Sequence, residues 1–482
     1  MLLDNNATRI RREIMVRVAQ LCFEDELISA VDRLPVDMRP KGNVPERCCV
    51  YKERAVIKYR IMAILGFGAE EETDELTPLS EYAGAALKRT SISPPVLTVL
   101  HDACSACIYS RYFITNACRG CFARPCALNC PKKCISFEDG QAHIDHDACV
   151  NCGRCLKACP YHAIIHVPIP CEEECPVGAI SKDETGKECI NPDSCILCGK
   201  CMTACPFGAI MEKSQMVDVI RCLKSDSKTI ALIAPSIVGQ FSGTPENTIG
   251  ALKNLGFDAV VEVAAGADVT ARNESVEFGE RMQEGDAFMT SSCCTAYKEA
   301  VEKHIPELHP YVSETATPMH YAAEIAKERY PDDVTVFIGP CTAKRIEGMG
   351  DPLVDYVLTF EELGAMLVAH HIDVQEADPQ AADIAGTAAG RGFPVSGGVA
   401  GAISTSMDSE EAAKMKVQHV DGINKQELKR LRDYAKSGVS DCNMLEVMCC
   451  EGGCVAGPCT IGNPKVAARK VADHCRTSRS DS

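Results

Sequence analysis

The sequence predicts an α/β domain over residues 216–482, preceded by an α+β, cysteine-dense module over 101–215 and a helical region over 1–100. Three observations carry that reading. From Lys228 onward, apolar β-rich runs (TIALIAPSI, DAVVEV, VTVFIGP, DYVLTF) alternate with amphipathic stretches such as NTIGALKNLG and EELGAMLVAHH, the pattern of strands and helices packed in alternation. Between Cys104 and Cys205 lie 18 of the 31 cysteines. Before them, residues 8–33 are amphipathic with helical spacing, and Tyr51–Phe67 is an apolar stretch flanked by charges. A chain of 482 residues exceeds what one core organises, so about three domains are expected.

Composition narrows the function classes. The chain is 46% hydrophobic and 24% charged, with no run approaching the length of a membrane span. The first thirty residues carry charges throughout and no small-residue cleavage site, so no secretory signal is read and a cytoplasmic protein is expected. A net charge of −17 disfavours nucleic acid as a partner and leaves no polybasic patch for a membrane. Cysteines that are odd in number and mostly two or three residues apart are poorly placed for disulfides but suit shared metal clusters. They read as thiolate ligands in a reducing, anaerobic cytosol. Residues 1–100, including the pair Cys48–Cys49, show no motif with chemistry, and packing is their expected role.

Two runs have the spacing C-x2-C-x2-C-x3-C-P: Cys149, Cys152, Cys155 and Cys159, then Cys195, Cys198, Cys201 and Cys205. The short loops bring three thiolates to three corners of one cubane, and the fourth reaches the cubane of a companion run, as in two-cluster ferredoxins. Zinc is an equal reading for an isolated CxxC, but not for two complete runs ending in proline. Cys118, Cys121, Cys126 and Cys130-Pro131 form a looser run, and Cys104, Cys107, Cys171 and Cys175-Pro176 supply four more thiols. These sixteen suffice for four cubanes, so two to four accessory 4Fe–4S clusters are expected. Pro125-Cys126-Ala-Leu-Asn-Cys130-Pro131 resembles Pro170-Cys171-Glu-Glu-Glu-Cys175-Pro176 at an offset of 45 residues, and the complete runs repeat at 46, which reads as a duplicated unit. The run at Cys149 pairs either with the run at Cys195 or with the looser run before it. Cys134 and Cys189 are left over as ordinary thiols.

Three further motifs lie in the second half: Thr290-Ser-Ser-Cys293-Cys294-Thr-Ala-Tyr297, Phe337-Ile-Gly-Pro340-Cys341-Thr-Ala-Lys344, and Glu446-Val-Met448-Cys449-Cys450-Glu-Gly-Gly453-Cys454. The second sets a cysteine just after a β run, where ligand sites collect in α/β domains. The third sets Cys450 and Cys454 around a glycine pair that permits close backbone approach. Cys294, Cys341, Cys450 and Cys454 would complete another cubane from three distant loops.

Together these segments resemble the three signatures of iron–iron hydrogenases, and the resemblance covers residues 149–465. The long N-terminal region and looser cysteine runs are similar to the divergent group B branch. The resemblance implies an iron hydrogenase-like catalytic domain behind a ferredoxin-like module. It implies an H-cluster, a 4Fe–4S cubane bridged to a diiron unit with CO, cyanide and dithiolate ligands, with Cys454 as the bridge. Cys293 matches the family's proton-relay thiol, and Glu274, Glu277, Arg281 and Ser313 match its path to solvent. Lys344, Pro235 and Ser236 match residues that contact cyanide ligands, and Phe393 with Ser396-Gly397-Gly398 matches part of the pocket wall. Thr295-Ala296-Tyr297, Gly339 and Gly457-Pro458-Cys459 depart from the family pattern, which commonly has Pro-Gly-Trp, Met and a run into Gly-Gly-Gly-Gln there.

The expected activity is reversible H₂ formation from protons, with electrons from or to ferredoxin or a similar small carrier, and with maturation proteins inserting the diiron unit. The alternative is a non-catalytic relative, either a hydrogen or redox sensor or a cluster-assembly factor. No GxGxxG follows a strand, so a nicotinamide site is not expected. The histidines, including His370 and His371, fall in no ligand pattern.

Overall fold

A computed structural model describes residues 5–107, 109, 111–438 and 442–480. The first helix, Asn6–Phe23, starts where the Asn5 side chain accepts the Thr8 amide and buries Ile14, Met15, Val18 and Cys22. Helix Val50–Ile64 is capped by the Cys49 sulfur, which accepts the Lys52 amide. The core that contains Ile14 and Met15 also contains Ile61 and Met62 and the sheet residues Leu232, Val260 and Ile338. The N-terminal helices thus share a core with residues 216–482, the half that the sequence leads one to expect as catalytic and that is called the catalytic half below. Arg11 and Arg12 pair with Glu361 at the start of helix Phe360–Ala369, which fastens the two together.

The cysteine-dense segment is two copies of one unit, and they are nested rather than tandem. In the inner copy, strand Arg111–Ile114 pairs antiparallel with Ile164–Val167, enclosing a hairpin of Ile135–Glu138 and Gln141–Ile144. Asp139 and Gly140 both have positive φ (49° and 75°), as a two-residue type I′ hairpin turn requires. In the outer copy, Leu97–Val99 pairs antiparallel with Ile210–Glu212 around the hairpin of Ile180–Lys182 and Glu188–Ile190. The inner copy is inserted between Cys107 and Cys171 of the outer one. It has a small core of its own, built on Ile135, Ala142, Ile164 and buried cysteines. The outer copy shares a core with Ala296 and Tyr297 of the catalytic half.

The catalytic half holds two parallel sheets. The first has the order Ala259–Glu262, Thr229–Ile233, Val334–Gly339, Tyr356–Thr359. Its two central strands are buried almost end to end, which is why they read as unbroken apolar runs. The second has the order Met289–Thr290, Met444–Met448, Val417–Asp421. Helix Val263–Glu284 runs beside both. Buried Arg345 donates to Glu362 at 2.8 Å and lies 3.5 Å from Glu212 of the outer unit's last strand, so a charge cluster joins module to catalytic half. Among the described residues no helix is long and apolar enough to cross a membrane.

Candidate active site

Four strand ends deliver the site. Thr229–Ile233 and Val334–Gly339 are parallel neighbours, so Pro235-Ser236 and Cys341 leave their C-terminal ends side by side. Met289–Thr290 and Met444–Met448 are also parallel neighbours, and they deliver Cys293-Cys294 and Cys449-Cys450. Both pairs, with Cys454, Lys344 and Phe393, line one apolar cavity. A crevice outside the carboxyl ends of parallel strands is where α/β folds place ligands. Gly453 has a φ of 88°, and a Cβ there would lie 2.5 Å from the Pro394 carbonyl oxygen, so only glycine lets the Cys454 loop close on the Phe393-Pro394 segment.

Two of these thiols sit at helix starts. Cys294 caps helix Thr295–His304, and its carbonyl oxygen accepts the Tyr297 and Lys298 amides, both at 3.0 Å. Cys341 lies two residues before helix Ala343–Gly350. Burial pushes both thiols up, Cys341 to about 11. Helix N-termini favour the anionic form that a metal would draw out. Lys344 donates to both carboxylate oxygens of Glu347 at 2.8 and 2.7 Å. Burial alone would lower Lys344, but Glu347 outweighs it and keeps the ammonium charged. Thr295 and Thr317 hydroxyls also donate to Glu347.

A ladder of polar groups starts at Ser292, the neighbour of Cys293. The Ser292 amide and hydroxyl both donate to one Glu274 oxygen at 2.8 Å, while its other oxygen is buried without a partner. Burial raises Glu274 to about 7. One helical turn on, Glu277 accepts from Ser313 Oγ at 2.5 Å, from Arg281 Nε at 2.9 Å and from the Glu314 amide at 3.0 Å. Burial acts to raise Glu277, but these donors outweigh it and hold its carboxyl below the usual range. Exposure grows along the ladder, from 0% at Glu274 and 2% at Ser313 to an 18% exposed Glu277 side chain.

The other cysteines fall into sets that cross between runs. Cys118, Cys121 and Cys126 line a cavity with Cys159. Cys149, Cys152 and Cys155 line a second with Cys130 and Cys134, so the run at Cys149 exchanges its fourth cysteine with the looser run before it. In the outer unit Cys195, Cys198 and Cys201 line a third cavity with Cys175. Burial raises Cys107 and Cys171, the latter to about 12, and the charge of Cys205 adds to both, as that of Cys104 adds to Cys107. Cys198 lines the central cavity as well as its own. Cys189 donates to the Ser181 carbonyl at 3.2 Å, away from these sets. Among the described residues no three Cys, His, Asp or Glu side chains converge as they would on a single metal ion.

Residues 227–458 match the family described as iron only hydrogenase large subunit, C-terminal domain, and residues 141–164 and 190–210 match a 4Fe-4S binding domain. Iron hydrogenase 1 of Clostridium pasteurianum is 30% identical over 388 residues, covering 68% of this chain and 66% of that protein. This chain belongs to the iron-only hydrogenase family. The periplasmic Fe hydrogenase large subunit of Nitratidesulfovibrio vulgaris is 29% identical over 285 residues, 48% of this chain and 68% of that protein. The chain thus spans about two thirds of the length of either relative. The solved FeFe-hydrogenase HydA(deltaEFG) is 23% identical with a TM-score of 0.44, over 52% of this chain and 85% of that one.

The residues present fit the metal–sulfur group of an iron-only hydrogenase. Four thiols from three loops line one apolar cavity, and the buried Ser236 hydroxyl in its wall has no partner. A Cβ at Gly339 would lie 2.5 Å from the Phe337 ring and 3.4 Å from Ala234 Cβ, so with Phe337 as placed only glycine fits there. Sequence reading missed Glu347, although its i+3 spacing from Lys344 on one helix was a usable signal. It also missed Met319 and Met448 in the cavity wall and Thr315, whose hydroxyl reaches Glu277 at 3.1 Å. Met319 and Thr315 belong to no motif, and Met448 was quoted in the third motif only as a neighbour of its cysteines.

Proposed function

We propose that this chain is a hydrogenase interconverting H₂ with two protons and two electrons. The meeting of Cys294, Cys341, Cys450 and Cys454 with Cys293 on one cavity carries the proposal. In this reading Cys294, Cys341 and Cys450 would hold a cubane, and Cys454 would hold it together with a diiron unit. Bound there, the H-cluster would supply the iron site and the base that H₂ chemistry needs.

The chain's own residues do the rest. Apolar walls keep bulk water from the cavity, which strengthens every charge interaction inside it. Lys344, held cationic by Glu347, and the free Ser236 hydroxyl anchor anionic diatomic ligands. Cys293 passes protons between the cavity and Glu274, and Ser313, Glu277 and Arg281 carry them to the surface. A neutral-range Glu274 beside an ionised Glu277 is the separation of pKa values that directional proton transfer uses.

The module's cysteine sets would hold accessory 4Fe–4S cubanes, four if every set is filled, and these would supply electron transfer to the cavity. Residues 111–167 carry seven Lys or Arg against four Asp or Glu, a balance of +3 in a chain of −17. Arg119, Lys132, Lys133, Arg154 and Lys157 are exposed on this inner unit, which suits an acidic carrier such as ferredoxin. A cytoplasmic setting and dedicated maturation proteins complete the proposal. The test is infrared spectroscopy of anaerobically matured protein beside viologen-driven H₂ evolution. CO and cyanide bands with turnover are expected. Bands without turnover would turn the reading to a sensor, and no bands after verified maturation would turn it to an assembly factor or electron carrier.

A further inference from the structure

One turn recurs four times, closing each of the four cysteine runs. Each begins with a cysteine and a proline: Cys130-Pro131, Cys159-Pro160, Cys175-Pro176 and Cys205-Pro206. Each passes through a left-handed residue three positions after the cysteine, Lys133 (φ 51°), His162 (φ 50°), Gly178 (φ 68°) and Gly208 (φ 57°). Each enters a strand at an isoleucine: Ile135, Ile164, Ile180 and Ile210. The amide just before that isoleucine returns to the cysteine sulfur, at 3.4 Å for Ala163 to Cys159 and 3.2 Å for Ala179 to Cys175. Three of the four turns therefore read Cys-Pro-x-x-Ala-Ile. The fourth reads Cys-Pro-Lys-Lys-Cys-Ile.

The odd residue is Cys134. It is 8% exposed, its sulfur lies 3.4 Å from that of Cys130, and it lines the same cavity as Cys130, Cys149, Cys152 and Cys155. Five sulfurs thus surround a space where a cubane takes four. Resting on the reading that these sets bind cubanes, we propose that Cys134 is not a ligand but donates an S–H hydrogen bond to the Cys130 sulfur, setting that cluster's reduction potential above those of the other three. Reduction adds negative charge to the cluster and its thiolates, and a donor on one thiolate stabilises the reduced state more than the oxidised one. Hydrogen bonds to cluster sulfurs are among the determinants of their potentials. The other three turns have a methyl group at this position and only the backbone donor. The inner unit then holds the wire's most easily reduced cluster, a place for electrons to wait near the surface.

The experiment is an EPR-monitored redox titration of the full, cluster-loaded chain, with iron and sulfide analysis, for wild type, Cys134→Ala and Cys134→Ser. Alanine is what the same turn carries three times, so the fold is expected to persist. In Cys134→Ala, iron and sulfide should be unchanged, while one 4Fe–4S component falls about tenfold in its reduction equilibrium, about 59 mV for one electron. Cys134→Ser keeps a donor and should shift that component less. Unchanged potentials in Cys134→Ala would overturn the proposal. So would loss of one cluster's iron in that variant, which would make Cys134 the ligand and Cys130 the spare thiol. Wild-type protein without 4Fe–4S signals would overturn the cluster reading itself, and the proposal with it.

Discussion

Replacing Glu274 by glutamine tests the proton ladder at its most buried step. Glutamine keeps an oxygen for the two Ser292 donors, each at 2.8 Å, but it can neither take up nor release a proton at this pH. Loss of a positioned acid–base group slows proton transfer by about 10²–10⁴-fold, or roughly 3–5 kcal/mol in the barrier. Glu274 sits near 7 because burial disfavours its charge. H₂ evolution in the wild type should therefore fall as pH rises through about 7, where the donor loses its proton, and H₂ oxidation should rise. The glutamine variant should lose that inflection. Linkage gives a second readout. A carboxyl raised from 4.5 to about 7 on folding favours the folded state fully below 4.5 and loses that advantage as pH rises through 7, by about 3 kcal/mol. The variant, free of that penalty, should resist denaturation better than wild type at pH 8. Viologen-coupled assays from pH 5.5 to 9, with infrared spectra to show equal cofactor loading, decide the matter. Wild-type turnover in the variant, with the inflection intact, would refute the ladder.

Cys293→Ala should reduce turnover by a similar factor while leaving iron content unchanged; normal turnover would remove Cys293 from the relay. Charge reversal at exposed Lys132 and Lys157 of the inner unit should raise the KM for an acidic ferredoxin about tenfold at low salt, with viologen-driven rates unaffected. An equal KM would place carrier docking elsewhere. Arg345→Met would strand Glu362 and Glu212, which are 0% and 4% exposed at the side chain, and should cost about 3–5 kcal/mol. Thermal loss of helical circular dichroism measures it, and an unchanged midpoint would mean the charge cluster contributes nothing net.

Much of the catalytic half was legible because its chemistry and its topology coincide. The runs TIALI, VVE, VTVFIG and YVLT are the four strands of the first sheet, and they were visible because a parallel sheet covered on both faces needs unbroken apolar strands. Of the cysteine motifs, only the one at Cys341 was read as following such a strand, and the other two stood out by their paired cysteines and their likeness to the family signatures. Glu274, Glu277 and Arg281 were legible as one face of a helix, Ser313 was named only through that likeness, and Thr315 was not read. Ser313 and Thr315 reach Glu277 from a segment some forty residues downstream, a contact no local pattern encodes. The union of the N-terminal helices with the catalytic core was likewise hidden. Arg11, Arg12 and Glu361 lie about 350 residues apart in sequence.

Nesting explains why the cluster module resisted a complete reading. The offsets of 45 and 46 residues suggest two units in series, and in series Cys104 and Cys107 belong to neither. Once the inner unit is lifted out between Cys107 and Cys171, the outer one becomes an ordinary two-cluster unit whose first run is Cys104, Cys107, Cys171 and Cys175. The strand pairs support this division, because Leu97–Val99 closes on Ile210–Glu212 and Arg111–Ile114 closes on Ile164–Val167. The arrangement also has a functional consequence. An inserted unit is tied to its host by two chain crossings and can carry its own small core away from the catalytic half. The outer unit, by contrast, shares its core with that half and presents Cys198 to the central cavity. On the proposed function, the outer unit then stands beside the chemistry and the inner one is left to meet a carrier, an order that a tandem repeat would not impose.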